Sequence, residues 1–316
     1  MSPRKPVPPS TLDRLLVPDR SHSYFAGWPD HPFRAEAVGF EPVNAWWLAE
    51  AAMLAYADAT FIRGTLERAD LADAGCRLRL FARGGTQCLV LDADAFVHVV
   101  FRGTQVDDFW ASAVNVATDA QFILSADGAG GRVHRGFLQA LGKVWEELGA
   151  HLGSLSLAAP SRPVWFAGHS LGGALATLAA ERAARELGAH VGGLYTFGSP
   201  RVGDKLFRAR LDALGLGEKT FRVVNDADIV ARVPPAVRYR HVGRLRLIDG
   251  EGVVRELDSD NGPPLHRRLP RRVREVFAAA PFFASSLRRF KIPIPKPLAD
   301  HAPVYYAVHL WNSFNP

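Results

Sequence analysis

Cysteine is nearly absent, with two in 316 residues. That excludes a fold stapled by disulfides. With no C-x-x-C or H-x-x-x-H spacing, it also excludes a structural zinc site built from cysteine and histidine. A Cys76–Cys88 bridge is open on counting alone, but two buried free thiols are the expectation. No run of 18 apolar residues occurs, so no membrane-spanning helix is expected. The first nine residues hold Arg4, Lys5 and four prolines rather than the apolar stretch of a secretory leader. The expected location is therefore cytoplasmic, or outside by a non-classical route. Proline is scarce in the middle of the chain. Of 22, eight lie in the first 43 residues, nine beyond Gly262 and only five between. Because proline removes a backbone donor, residues 43–262 read as the regular core. Residues 1–42 read as a Pro-rich arm, and 43–316 as one domain carrying a basic, apolar insertion around 263–297.

The net charge of +6 is not uniform. Between Arg267 and Lys296 there are nine basic residues and one acid, Glu275, so the rest of the chain is near −2. A nucleic-acid binder would spread its charge and interleave an aromatic platform, and neither is present; no nucleic-acid partner is expected. The same segment holds Phe277, Phe282, Phe283, Phe290, Ile292 and Ile294. Such a mixture suits peripheral contact with an anionic lipid interface, or a solvated loop whose apolar residues pack on the body.

The hydrophobic pattern alternates between strand and helix. Asn44 to Ala59 reads as a helix capped by Asn44. Arg77–Phe81 and Gln87–Leu91 flank a Gly84-Gly85 turn as a hairpin. Phe96 to Phe101 is an apolar strand, His134 to Leu152 a helix, and Val164 to Gly168 a short strand. Leu171 to Leu187 is an Ala-rich helix stopped by Gly188. Leu194–Phe197, a helix near Asp204–Leu214, and Phe221–Val224 follow. Alternation of this kind implies an α/β fold, a mostly parallel central sheet with helices on both faces. The active site is then expected beyond the C-terminal ends of the strands.

Gly168-His169-Ser170-Leu171-Gly172 is a G-x-S-x-G element. The pattern is short, but a buried-strand run, Val164 to Ala167, precedes it and a helix follows it. In that setting the turn is too tight for side chains at the flanking positions and lifts the Ser170 hydroxyl above the sheet. A serine hydroxyl is a weak nucleophile; it needs a histidine as base and a carboxylate to fix that histidine's tautomer. Both are sought downstream of Ser170. Asp226 and Asp228 leave the end of the Phe221–Val224 strand together, and spacing does not separate them. Asp249 reads as hairpin-turn chemistry. Of the later histidines, His241, His266, His301 and His309, His301 stands at a loop-to-helix junction that can aim its ring into a cleft. The oxyanion donors are expected to be the backbone N–H of Leu171 and Thr104, the latter after the strand that ends at Phe101.

Several stretches taken in order resemble the class 3 lipase family of α/β-hydrolases. They are Val99 to Thr104, Val133 to Leu138, Gly168 to Ala176, Thr196 to Asp204, Arg222 to Val230 with Pro234-Pro235, and Asp300-His301 before a tyrosine pair. The resemblance covers roughly residues 43–310. It implies the α/β-hydrolase fold, with Ser170 as nucleophile, Asp228 as acid, His301 as base, and Thr104 and Leu171 as oxyanion donors. It implies no metal and no organic cofactor. It also implies a lid over Gln105–Leu124, whose Phe109, Trp110 and Val114 would cover an acyl-binding cleft; an ordinary packed connection is the alternative. The implied function is a serine carboxylic-ester hydrolase acting on acylglycerol esters through an acyl-enzyme. A phospholipase, a short-chain carboxylesterase and a catalytically silent lipid-binding protein stay open beside it.

Overall fold

The structure is a computed structural model. It describes residues 3–11, 15, 18–104, 122–257 and 295–315. The lid residues Phe109, Trp110 and Val114, and nearly all of the basic insertion, lie outside them.

An eight-stranded sheet organises the molecule. Its strands are β1 (Arg77–Arg83), β2 (Thr86–Asp92), β3 (Val97–Phe101), β6 (Val164–His169), β7 (Val191–Phe197), β8 (Thr220–Asn225), β9 (Arg244–Ile248) and β10 (Val254–Leu257), in that spatial order. β3 through β9 run parallel, while β1, β2 and β10 close the two edges antiparallel. A small hairpin, β4 (Leu124–Ala126) with β5 (Arg132–His134), stands beside it. The neighbouring strands β3 and β6 cannot be joined by a turn, since parallel pairing needs a crossover. Each crossover returns the chain to the same end, so the loops after β3, β6, β7 and β8 gather at one edge.

Strand residues alternate between two cores. Trp165, Ala167, Tyr195 and Phe221 face one side of the sheet; Val164, Phe166 and Leu194 face the other. On the first side lie α1 (Pro42–Leu54) and, after α2 (Ala59–Arg68), the last helix, α7 (Pro303–Phe314). On the second lie α3 (Arg135–Ala158), α4 (Leu171–Leu187) and α5 (Lys205–Ala213). One short helix, α6 (Lys296–Ala299), precedes α7. This is the mostly parallel sheet with helices on both faces that the alternating pattern implied. Among the described residues no helix is long and apolar enough to cross a membrane.

Two local expectations need correcting. Asn44 does not cap the first helix. Pro42 at its first turn starts it earlier. Asn44 is buried inside, where its side chain pairs with both backbone groups of Arg34. The helix also stops at Leu54, because Asp58 caps a separate helix by accepting from the Phe61 amide. Cys76 and Cys88 are both free, but only Cys88 is buried; Cys76 is half-buried just ahead of β1.

Every residue of α1 from Val43 to Leu54 is buried, including Glu50. A helix apolar all round has no water to spare for a carboxylate. Glu50 is compensated by His22 Nε2 at 2.9 Å, Trp46 Nε1 at 3.0 Å and Lys5 Nζ at 3.5 Å. The Lys5 ammonium also lies 4.5 Å from the Trp311 ring centroid. Its backbone exchanges two hydrogen bonds with the Asn312 side chain. The Pro-rich arm is thereby tied to α1 and α7, and its Phe25 is fully buried in the same core.

Burial alone disfavours both charges. The attraction between them prevails, so His22 is raised above its ordinary 6.5 and Glu50 lowered below its ordinary 4.5. The His22 contribution is complete below pH 6.5 and fades as pH rises through its raised value. That of Glu50 is complete above pH 4.5 and fades as pH falls through its lowered value. Urea-unfolding midpoints should therefore peak between the two. Glu50→Gln should remove the alkaline fall and cost about 3 kcal/mol at neutral pH, since it leaves a buried cation unpaired.

Candidate active site

Ser170 stands between β6 and α4 with φ 57° and ψ −128°, a backbone conformation costly for a residue with a side chain. The surroundings hold it there. The Ser170 amide donates to Phe197 O at 2.9 Å, and its carbonyl accepts from Gly173 N at 3.0 Å. A methyl at Gly168 would overlap the Gly172 carbonyl, and one at Gly172 would overlap the Phe101 carbonyl. The two glycines are thus required by close approach of backbone to backbone, as the motif demands. Register pairs Phe101 with Gly168, so the chain leaving β3 runs beside the elbow, with Gly103 close to the His169 carbonyl and Arg102 close to Gly172. Leu171 is the first residue of α4, where amides lack intrahelical partners.

Asp228 follows β8 and is fully buried. Its Oδ2 accepts from His301 Nδ1–H at 2.8 Å and from the Tyr306 hydroxyl at 2.5 Å; its Oδ1 accepts from the Val230 amide at 2.8 Å. With Nδ1 donating, the neutral His301 ring has Nε2 as its acceptor nitrogen. Burial and the neighbouring Asp228 together push the Tyr306 hydroxyl well above the usual phenol range, so it stays a donor.

Asp226 does not join this cluster. It pairs with Lys296 at 2.9 Å, and the same ammonium holds Asp300 at 2.8 Å. Asp300 in turn accepts from the Ala227 amide, and its carbonyl accepts from Asn225 Nδ2. These contacts fasten the turn before α7 to the end of β8 and deliver His301 to Asp228. Asp249 accepts from the Glu251 and Val253 amides in its hairpin turn. His241 is buried with Nε2 donating to Ala231 O, and burial, with Arg222 and Arg201 nearby, holds it neutral. His309, within α7, lies against Gly252. His266 lies outside the described residues.

Three contacts were not anticipated from the sequence. His169, the variable position of the motif, donates from Nε2 to the His301 carbonyl at 2.6 Å. That fixes its tautomer, so its Nδ1 accepts from the Tyr56 hydroxyl at 2.8 Å. Burial, reinforced by His301, keeps this imidazole uncharged. Tyr306 belongs to the tyrosine pair that the motifs included without a role. Gly198 is the third: at φ 58°, a methyl there would meet His301 Nδ1 at 2.8 Å and press on Asp228. His169, Gly198 and Tyr306 all lie in stretches that carried the resemblance, though without a role assigned; nothing near Tyr56 marks it.

The family model described as Lipase (class 3) matches residues 98–238. The chain is similar to the lipase of Rhizomucor miehei, 37% identical over 158 residues, covering 48% of this chain and 41% of that protein. It is also similar to secreted mono- and diacylglycerol lipase 1 of Fusarium solani, 40% identical over 127 residues, covering 39% and 36%. The chain therefore spans less than half the length of these curated relatives. Among solved structures, the Rhizomucor miehei lipase–propeptide complex superposes with a TM-score of 0.54 at 30% identity, covering 68% of this chain and 71% of that one.

Gly198 and Gly188 have nearly the same φ, 58° and 59°, but a methyl on Gly188 meets nothing within 4 Å. Gly188→Ala should cost about 1–2 kcal/mol from backbone strain alone. Gly198→Ala should cost clearly more in thermal unfolding; equal losses would mean that the Asp228–His301 pair yields freely to the methyl.

Proposed function

This chain belongs to the class 3 lipase family, and from that premise we propose that it is a serine carboxylic-ester hydrolase acting on acylglycerol esters. The observation that carries the reading is the buried Asp228–His301 hydrogen bond at the strand edge that also bears the strained Ser170.

In this mechanism His301 Nε2 takes the Ser170 proton as Oγ attacks the ester carbonyl. Asp228 holds the ring in the required tautomer and stabilises the imidazolium that forms. The Leu171 amide and Thr104 donate to the developing oxyanion. The imidazolium then protonates the leaving alcohol, and an acyl group remains on Ser170. Water, activated by the same nitrogen, releases the fatty acid and restores the hydroxyl. No step needs a metal or an organic cofactor. Phe109, Trp110 and Val114 would line the acyl site as part of a lid. The nine basic residues between Arg267 and Lys296 would favour anionic lipid.

A serine-directed phosphonate should label the wild-type chain once and leave Ser170→Ala unlabelled; labelling of neither would point to a silent lipid-binding protein. Ser170→Ala should lower ester hydrolysis by about 10⁴-fold or more. An activity profile across acyl-chain length, with monomeric and micellar substrate, separates a lipase from a short-chain esterase, and a diacyl phospholipid substrate identifies a phospholipase.

A further inference from the structure

One surface away from the Ser170 cluster combines cations that have no partner among the described residues with exposed aliphatic side chains. A groove of about 740 Å³ lies between the β4–β5 hairpin, the start of α5 and the loop ending at Arg240. Its rim carries Arg132, Lys205 and Arg238, all exposed. None of these three side chains has a hydrogen-bond or ion-pair partner among the described residues. A fourth cation, Arg240, donates to the carbonyls of Ala236 and Tyr239 and so shapes the loop. The one acid among the described lining residues, Asp204, is occupied: its Oδ1 accepts from the Leu206 and Phe207 amides as the cap of α5. The groove is therefore electropositive.

Apolar groups sit among these charges. Within the lining Val237 is 86% exposed and Ile123 44%, and Leu206, which follows Lys205 on α5, is 53% exposed; these are three of the seven large hydrophobic residues exposed among the described residues. Stranded aliphatic side chains ringed by cations mark an interaction surface rather than a plain solvated one. The surface is also held rigidly. Gly203 bridges to both Val133 and Arg240, and the Arg201 guanidinium donates to the Arg232 and Pro234 carbonyls. Its segments follow the C-terminal ends of β3, β7 and β8, the edge that carries Ser170 and Asp228.

We propose that this groove docks the protein on an anionic lipid bilayer. Val237 and Ile123 enter the boundary between headgroups and acyl chains, and Arg132, Lys205 and Arg238 meet lipid phosphates. Uncommitted cations beside aliphatic prongs are the chemistry that such an interface rewards. The proposal deepens the lipid-ester reading and rests on it, because docking here turns the edge bearing Ser170 towards the substrate layer.

The test is co-sedimentation of the full chain at low salt with phosphatidylcholine vesicles, with and without phosphatidylglycerol. The wild type should bind the anionic vesicles much more strongly. Replacing the three cations together (Arg132→Gln, Lys205→Gln, Arg238→Gln) should weaken that binding on the order of a hundred-fold, at about five-fold per charge near the surface. Val237→Ser should weaken it several-fold. All variants should hydrolyse a water-soluble short-chain ester at the wild-type rate, which reports intact folding. Equal wild-type binding to the two vesicle types overturns the proposal. So does a triple variant that still binds anionic vesicles like the wild type, since docking then lies elsewhere. If docking follows the predicted pattern but no variant, nor the wild type, turns over ester, the docking surface stands and the hydrolase reading fails.

Discussion

A carboxyl group with no exposed surface must recover from the protein what water would have supplied. Asp228 does so with three donors, and each comes from a different part of the chain: His301 before the last helix, Tyr306 within it, and the amide of Val230 two residues on. The requirement is mutual. The His301 ring is oriented by the carboxyl group, the last helix is anchored by its tyrosine, and the turn after β8 is folded back by its own side chain. Removing any one donor leaves the other two holding a buried acceptor that is short of partners, which is the expensive case. The geometry of the cluster is thus a condition of the fold at this edge.

The parts of the fold that were legible in the sequence are those set by local sterics and periodicity. The helix Leu171–Leu187 was delimited to the residue because a tight elbow precedes it and Gly188, in the left-handed region, follows it. The hairpin over Gly84-Gly85 was equally local. Asp226 and Asp228 were indistinguishable because both leave the same strand end, two residues apart. What separates them is which partner tertiary structure brings: Lys296 for one, His301 for the other. The Tyr56–His169 contact joins residues 113 positions apart and has no local signature. Asn44 misled because a capping residue type can equally satisfy a buried backbone, and only the position of Pro42 decides which. The family resemblance supplied Asp228, which spacing alone did not.

The same end of the sheet serves two unlike purposes. Backbone amides and a histidine pair converge there on a small, buried cluster, while loops that follow β3, β7 and β8 also open into an electropositive groove. Parallel strands make this economical. Every crossover returns the chain to one edge, so residues far apart in sequence meet there without any long connection being threaded through the core.

The pairing of α1 with α7 has a consequence for how the chain comes to be. Lys5 and Asn312, 307 positions apart, exchange two hydrogen bonds, and Trp46 of the early helix packs on Trp311 of the late one. On the ribosome the first of these helices emerges long before the second exists. Its tryptophan face, with the sheet growing beneath it, must wait uncovered until Pro303–Phe314 has been made. One half of the protein's interior is therefore sealed only when the histidine-bearing segment arrives, which leaves the nascent polypeptide a prolonged interval of uncovered apolar surface.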